Sequence, residues 1–193
     1  MNISKYGTYF KYIETHTDTV VYLSTVLLGV ASVINISLSI MVARFLGIEF
    51  KKIEQVVLSL PYINHRLELR IAKGGASVIY DAYNSNENSF AEMLKMVALF
   101  DVGYKILITP GVVELGASQY SVNVKISKLA SDVFDEIWVI NRVNKYAFIE
   151  GVKGSKCIVN YYDHLDVKIF EKVNMFDEKV LVVFENDLPD IYK

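Results

Sequence analysis

The sequence is poor in the residues that build disulfides and metal sites. One cysteine, Cys157, cannot form an internal disulfide, and three histidines are too few for a zinc site made of protein ligands alone. Cys157 lies in an apolar run, so it is predicted to pack rather than to react. The sequence also lacks a tract of lysine and arginine, and its net charge at pH 7 is −2. A nucleic-acid partner bound through a basic stripe is therefore disfavoured.

Charged residues are absent from residues 19–43, a stretch long enough for a membrane-spanning helix. Serine, threonine and asparagine residues interrupt this stretch, Gly29 lies near its middle, and no cationic segment precedes it. A membrane span is therefore disfavoured, although a membrane anchor remains an alternative. The pattern predicts a buried strand, a glycine turn and a buried helix instead.

With 52% apolar and 22% charged residues, the chain is expected to fold into one sizeable domain, or one domain plus a smaller piece. The period of the apolar residues changes between Pro61 and Arg66, which predicts domains at residues 1–64 and 65–193. The first part is predicted to contain a frayed sheet start, a buried strand and two helices, at residues 1–18, 20–28, 32–46 and 49–60.

The second part alternates between strand-like and helix-like patterns. Residues 66–71 alternate strictly between polar and apolar side chains, which indicates a half-exposed strand. The later strands are apolar throughout, as strands covered on both faces are. The predicted fold class is α/β, with a Rossmann-like, mostly parallel sheet and helices on both faces. Strands are predicted at 77–80, 105–109, 136–141, 157–161 and 179–184, and helices at 90–100, 119–134, 145–150 and 166–173.

Polar or flexible residues crowd two loops at the carboxyl ends of predicted strands, where α/β proteins bind ligands. The first loop, residues 81–89, combines Asp81 with a phenol, three amides and two hydroxyls, and a helix cap and a ligand site explain it equally well. The second, residues 110–116, has two glycines and an acid, Glu114. A tight connection with one solvated acid is the alternative there. No G-x-x-x-x-G-K-[ST] phosphate loop occurs in the sequence.

Both loops resemble motifs of the Mur ligase family. Residues 81–86, followed by Ser89, resemble the D-x-Y-N-A-N-P-x-S-M signature of the MurF-type ligases. Residues 109–116 are similar to a T-P-G-M-V-E-L-G segment of those ligases. Weaker similarities follow the family's order at residues 27–29 with Asn35, at 66–68 and at 184–190. The sequence thus resembles the C-terminal part of a MurF-type ligase, preceded by the end of the family's central ATPase domain.

The resemblance implies an ATP-dependent ligase of cytoplasmic peptidoglycan precursor synthesis for the cell wall. Such ligases phosphorylate a substrate carboxylate, and an amine then attacks the acyl phosphate while Mg²⁺ offsets charge on the phosphates. The substrates would be a UDP-muramoyl peptide and D-alanyl-D-alanine or a similar amine. No catalytic residue is expected in this chain, and Mg²⁺ is expected to be ligated mainly by the central domain.

The resemblance also implies roles for individual side chains. Asp81 would bind the ribose hydroxyls, Arg66 would lie by the ribose and phosphates, and Asn35 would contact the adenine edge. From residue types alone, Arg66 is equally an exposed strand residue, and Asn35 a bridge to neighbouring backbone. The residues implied in ATP binding are Asn35, Arg66, Asp81, Tyr83 and Asn84, and those implied in amino-substrate binding are Asn86 and Glu114.

The sequence departs from the family pattern at several positions. The family's His-Asn pair is Ala31-Ser32 here, and the proline of its N-x-N-P step is Glu87. The phosphate loop and the carbamylated-lysine region are absent from this sequence. The chain is therefore expected to be a fragment, a split gene product or a degenerate paralogue, inactive alone and completed by an ATPase domain in cis or in trans. The alternative is a non-catalytic binding or partner module that kept the fold.

Overall fold

The structure is a computed structural model that describes residues 1–82 and 85–186. It has a three-stranded β-sheet with one hydrophobic core and a six-stranded β-sheet with a core on each face. Within the described ranges, no helix is long and apolar enough to cross a membrane.

The smaller sheet consists of β1 (Asn2–Ser4), β2 (Gly7–Glu14) and β3 (Thr19–Thr25), each antiparallel to the next. Residues 1–18 do begin a sheet, as predicted, but they form two of its paired strands rather than a frayed start. Phe10 is buried between exposed neighbours on β2, as the two-residue period of a packed strand requires. The turn before β2 depends on Gly7, whose φ is +113° and which leaves no room for a Cβ beside the Thr25 carbonyl.

Two helices follow this sheet, α1 (Gly29–Phe45) and α2 (Phe50–Leu58). Strand, glycine and helix occur in the predicted order. The prediction of a fully buried helix is wrong, because α1 packs on the small core through Ile36 and Ile40 while its opposite side is exposed. That exposed side is also apolar. We call it the outer face of α1, and it is formed by Val30, Ile34, Leu38, Met41, Val42 and Phe45.

Every element predicted after residue 65 is present, and the order of the sheet confirms the fold class. The strands lie in the order β4-β5-β9-β6-β7-β8; β4 is antiparallel to β5, and the other pairs are parallel. The elements are β4 (Glu68–Ile71), β5 (Ser77–Asp81), α3 (Glu87–Ala98), β6 (Tyr104–Thr109), a 3₁₀ turn (Gly116–Ser118), α4 (Gln119–Ser131), β7 (Glu136–Ile140), α5 (Lys145–Gly151), β8 (Ile158–Tyr162), α6 (Val167–Val173) and β9 (Val180–Glu185).

Helices cover both faces of the larger sheet, as predicted. Helices α3, α4 and α5 pack on one face, and α6 packs on the other. Successive strand residues such as Ile106 and Leu107 enter opposite cores, which explains why the strands are apolar throughout. Cys157 packs at the edge of the first core, where burial raises its pKa to about 11. This placement agrees with the predicted packing role of the thiol.

The two sheets are joined by shared packing. Ile3 and Leu28, from the first part of the chain, are buried in the core beneath α3. A Cβ on Gly29 would lie 3.2 Å from a methyl carbon of Leu67. Apolar contacts therefore cross the proposed boundary at residues 64 and 65, and the division into two domains stays a prediction.

Candidate functional site

Two carboxylates meet at the carboxyl end of the larger sheet. Asp81 is the last residue of β5, and Glu185 is the last residue of β9. The strands are parallel neighbours, and these two residues are register partners. Because side chains of register partners point to the same face of a sheet, the two carboxyl groups lie side by side.

The Glu185 carboxyl is enclosed by protein. Only 1% of the residue is exposed, and the Ser85 hydroxyl donates a hydrogen bond of 2.5 Å to Oε1. In the described ranges, no donor group reaches the buried Oε2, and Asp81 is the neighbouring acid that interacts with this carboxyl. Burial, reinforced by the charge of Asp81, raises the pKa of Glu185 well above its ordinary value. Of the two carboxyl groups, Glu185 is therefore the one whose surroundings oppose ionisation more strongly.

The pKa of Asp81 is also raised, and burial is the largest cause. The Leu67 N–H, an interaction with Glu185 and the charge of Arg66 each act to lower it. The Leu67 N–H donates to Asp81 Oδ1 at 3.3 Å. Asp81 is thus the carboxylate of the pair that is better placed to carry a negative charge.

The segment before β4 brings Arg66 to this pair. β4 begins at Glu68 rather than at residue 66, so the interpretation of Arg66 as one side of an alternating strand is wrong. His65 and Leu67 both have positive φ, +58° and +46°, and the backbone turns sharply around Arg66. The exposed guanidinium acts on the Asp81 carboxyl. The structure therefore groups Arg66 and Asp81, as the resemblance implies.

The first polar loop provides the cap of α3. Asn86 Oδ1 accepts hydrogen bonds of 3.0 Å from the N–H groups of Asn88 and Ser89, and Ser89 Oγ accepts one from the Asn86 N–H. The side-chain oxygen of Asn86 is thus used in a capping box, as the helix-cap alternative predicted. Tyr83 and Asn84, both implied in ATP binding, lie outside the described residues.

Buried amides shape the second loop. Asn123 is fully buried, accepts a hydrogen bond from the Val112 N–H at 2.9 Å and donates to the Val112 carbonyl at 2.8 Å. Asn144 donates to the Pro110 carbonyl at 2.9 Å. Glu114 lies on the exposed outer part of this loop with a φ of +65°. A loop braced from inside in this way presents Glu114 to solvent at the same edge of the sheet as Asp81.

Asn186 links the two loops. Its N–H donates to the Asp81 carbonyl at 3.0 Å, and its Nδ2 donates to the Gly111 carbonyl at 2.8 Å. Its φ is +66°, a conformation that asparagine tolerates better than most residues. The residue thereby fastens the end of β9 to the ends of β5 and β6.

Asn35 lies elsewhere. It is exposed on α1 and lines an apolar cleft of about 290 Å³ between α1 and α2. Ile40 and Ile53 form part of the same cleft. Among the described residues, no hydrogen bond or ion pair connects the Asn35 side chain with the Asp81–Glu185 pair. The adenine contact implied for Asn35 would therefore require a nucleotide that reaches from Asp81 to α1.

A second cavity, of about 320 Å³, opens at the carboxyl ends of β7 and β8. Arg142 and Lys145 contribute positive charge to its lining, and Arg142 is paired with Asp163 at 3.0 Å. Lys145 Nζ lies 4.7 Å from the centre of the Tyr161 ring. The same edge of the sheet therefore carries carboxylates near β5 and cations near β8.

Metal ligands are scarce in this arrangement. Within residues 1–82 and 85–186, no group of three or more histidine, cysteine, aspartate or glutamate side chains could hold a metal ion. The Asp81–Glu185 pair suits hydroxyl donors and an anion better than a divalent cation, because burial opposes a second negative charge on the pair and the charge of Arg66 acts on Asp81. Residues of this chain therefore fit the ribose part of a nucleotide better than its magnesium.

Sequence reasoning missed Glu185 and Ser85. The available signal was its position, since Glu185 directly follows the apolar run at 179–184 that was predicted to be a strand. Nothing local indicated that its carboxyl would be buried against Asp81, because the contact joins strands that lie far apart in the sequence.

The sequence matches no protein-family model, and no curated protein matches it. Solved structures share its fold. MurF ligase from Thermotoga maritima, solved in complex with ADP, has a TM-score of 0.75 and 18% identity, and the match covers 94% of this chain and 40% of that one. MurC, the UDP-N-acetylmuramate-alanine ligase of the same organism, has a TM-score of 0.73 and 14% identity, with coverage of 99% and 42%.

The chain therefore shares the fold of these two ligases. Folylpolyglutamate synthase from Thermotoga maritima also matches, with a TM-score of 0.63 and 14% identity over 94% of this chain and 42% of that one. More particularly, the fold is that of the Mur ligase C-terminal domain, and the resemblance seen in the sequence is confirmed at the level of the fold. The chain spans about 40% of the length of these proteins.

Proposed function

We propose that the chain is the C-terminal portion of an ATP-dependent, amide-forming Mur ligase and that it contributes the ribose side of a nucleotide site. The observation that carries this proposal is the position of Asp81 at the carboxyl end of β5, with Arg66 beside it. A carboxylate accepts hydrogen bonds from two neighbouring hydroxyls, and a guanidinium offsets phosphate charge. The ADP complex of the MurF match supports the choice of nucleotide.

The amino substrate would approach the neighbouring loops. Glu114 is exposed on a braced loop, and a carboxylate there suits the ammonium group of an incoming amine. Asn86 lies at the start of α3 and is assigned to the same substrate. A UDP-muramoyl peptide and D-alanyl-D-alanine are the proposed substrates, by similarity to MurF in the Asp81 motif, and the reaction would take place in the cytoplasm.

A second domain would complete the reaction. The phosphate cradle and the Mg²⁺ ligands would come from an ATPase domain joined in cis or bound in trans. The outer face of α1 supports this arrangement, since a contiguous apolar surface on a helix whose opposite side already packs on a core is normally covered by another element. Phe45 is 90% exposed, which is costly for a large apolar side chain unless a partner covers it.

The kinetic effect of Asp81→Ala tests the proposal in an enzyme that contains this chain together with a phosphate-loop domain. The substitution removes the ribose contact, so the KM for ATP should rise more than the KM for D-alanyl-D-alanine. Gln55→Ala, an exposed position on α2, is the control and should change neither constant. An unchanged KM for ATP in Asp81→Ala would contradict the ribose assignment.

A further inference from the structure

Glu185 is a buried acid that no part of the predicted ATP site includes. It is 1% exposed, its Oε1 accepts from the Ser85 hydroxyl, and its Oε2 is buried. A buried carboxylate without a cation is costly, whereas a buried carboxylic acid is an ordinary hydrogen-bond donor. The enclosure therefore favours a protonated Glu185.

The charges around Glu185 also favour its protonated form. In the described part of the chain, Asp81 on β5 is the charged group that acts on it, and Ser85 is its neutral partner. On the other side, β6 ends with the uncharged, fully buried Thr109. Arg66 acts on Asp81. Between two adjacent acids, the one that is more exposed and closer to a cation ionises first, and that acid is Asp81.

We propose that Glu185 is a positioning residue that donates its carboxyl proton to Asp81 and thereby holds the Asp81 carboxylate in the orientation that receives ribose hydroxyls. The inference rests on the proposed nucleotide role of Asp81. The Leu67 N–H holds Asp81 from one side at 3.3 Å, and Glu185, its register partner on β9, would hold it from the other. A carboxylate that is already oriented loses less side-chain freedom when a ligand binds.

A comparison of two ligands tests the inference in the isolated chain. ATP and its 2′,3′-dideoxy analogue, which lacks the ribose hydroxyls, are titrated separately, and binding is followed by amide chemical shifts. The wild-type chain should prefer ATP by about tenfold, as expected for hydrogen bonds to a charged acceptor. Glu185→Ala should lose this preference, whereas Glu185→Gln should keep it, because the amide N–H₂ replaces the acid O–H as donor.

The pH profile separates positioning from a structural role. In the wild type, the preference for ATP should disappear as the pH rises and Glu185 loses its proton, while in Glu185→Gln it should persist. Glu136→Gln is the control: it makes the same change at the first residue of β7, at the opposite edge of the sheet, and should behave as the wild type. Glu185→Ala with an intact preference, or Glu185→Gln without one, overturns the inference.

The proton on Glu185 can also be observed without a nucleotide. The carboxyl carbon of Glu185, followed by ¹³C NMR, should show the protonated form at neutral pH. Ionisation near the ordinary pKa of 4.5 would overturn the inference whatever the chain binds. A protonated Glu185 in a wild-type chain that does not distinguish ATP from the dideoxy analogue would instead contradict the proposed function.

Discussion

The side-chain oxygen of Asn123 occupies the space that a Cβ atom on Gly111 would need. The same oxygen accepts a hydrogen bond from the Val112 N–H, so it cannot move away without losing that bond. Asn144 and Phe148 close the space from other directions. The loop that presents Glu114 therefore depends on the absence of a side chain at position 111.

Gly111→Ala should destabilise the chain strongly. Alanine is strained at the φ of +78°, and its Cβ would clash with the Asn123 oxygen. Together these two effects should lower the free energy of unfolding by about 3 kcal/mol. Gly154→Ala is the matched control: its φ is +81°, but nothing lies within 4 Å of the added Cβ, so it should cost about 1 kcal/mol. Urea denaturation measures the free energy of unfolding of both variants. Equal losses would show that Asn123 and Asn144 do not hold the loop rigidly.

The stability difference between the wild type and Glu185→Gln should depend on pH. A carboxyl whose pKa is raised by folding adds stability that is complete below its unfolded pKa, here about 4.5, and is lost as the pH rises towards the folded pKa. The wild type should therefore lose stability relative to Glu185→Gln above pH 4.5, by up to about 1.4 kcal/mol per pH unit.

Urea denaturation of both proteins at a series of pH values checks this slope. Other groups with lowered pKa values, such as Glu14 beside Arg44, contribute equally to both proteins and cancel in the difference. A difference that stays constant between about pH 5 and about pH 8 would mean that folding does not hold a proton on Glu185.

In the isolated chain the exposed outer face of α1 is expected to cause self-association, and Leu38→Glu should reduce it. Leu38 is central in the outer face of α1 and is 54% exposed, and glutamate has nearly the same helix propensity as leucine. Its free energy of unfolding should stay within about 0.5 kcal/mol of the wild type. Gln55→Glu places the same charge on the exposed side of α2 and should leave association unchanged. Sedimentation velocity compares the variants, and identical behaviour would argue against a docking role for the outer face.

The larger sheet could be predicted because its signals are local. Parallel strands covered on both faces are continuous apolar runs, and 105–109 and 136–141 stand out between helix-length segments. The structure places β6 and β7 within one residue of those limits. The antiparallel strands β1 and β2 were predicted only as a frayed start of a sheet. Polar and aromatic residues are mixed in them, and their pairing depends on β3, which follows later in the sequence.

The site could be predicted only in part. Asp81 and Arg66 were found through motif resemblance, and the structure brings them together. Glu185 was not found, because burial of an acid is decided by the neighbouring strand and not by the residues beside it in sequence. The exposure of α1 was missed for a related reason: apolar spacing indicates that a face is buried, but not whether this chain or another segment buries it.

Nucleotide binding by the isolated chain tests the central claim most directly. ATP titrated into the ¹⁵N-labelled protein should bind with a Kd in the millimolar range, since the phosphate cradle is proposed to lie in another domain. The largest amide shifts should occur at Leu67, Ser85 and Asn186, which surround Asp81, and Asp81→Asn should remove them. Micromolar affinity, or shifts elsewhere that Asp81→Asn leaves unchanged, would contradict a ribose site at Asp81.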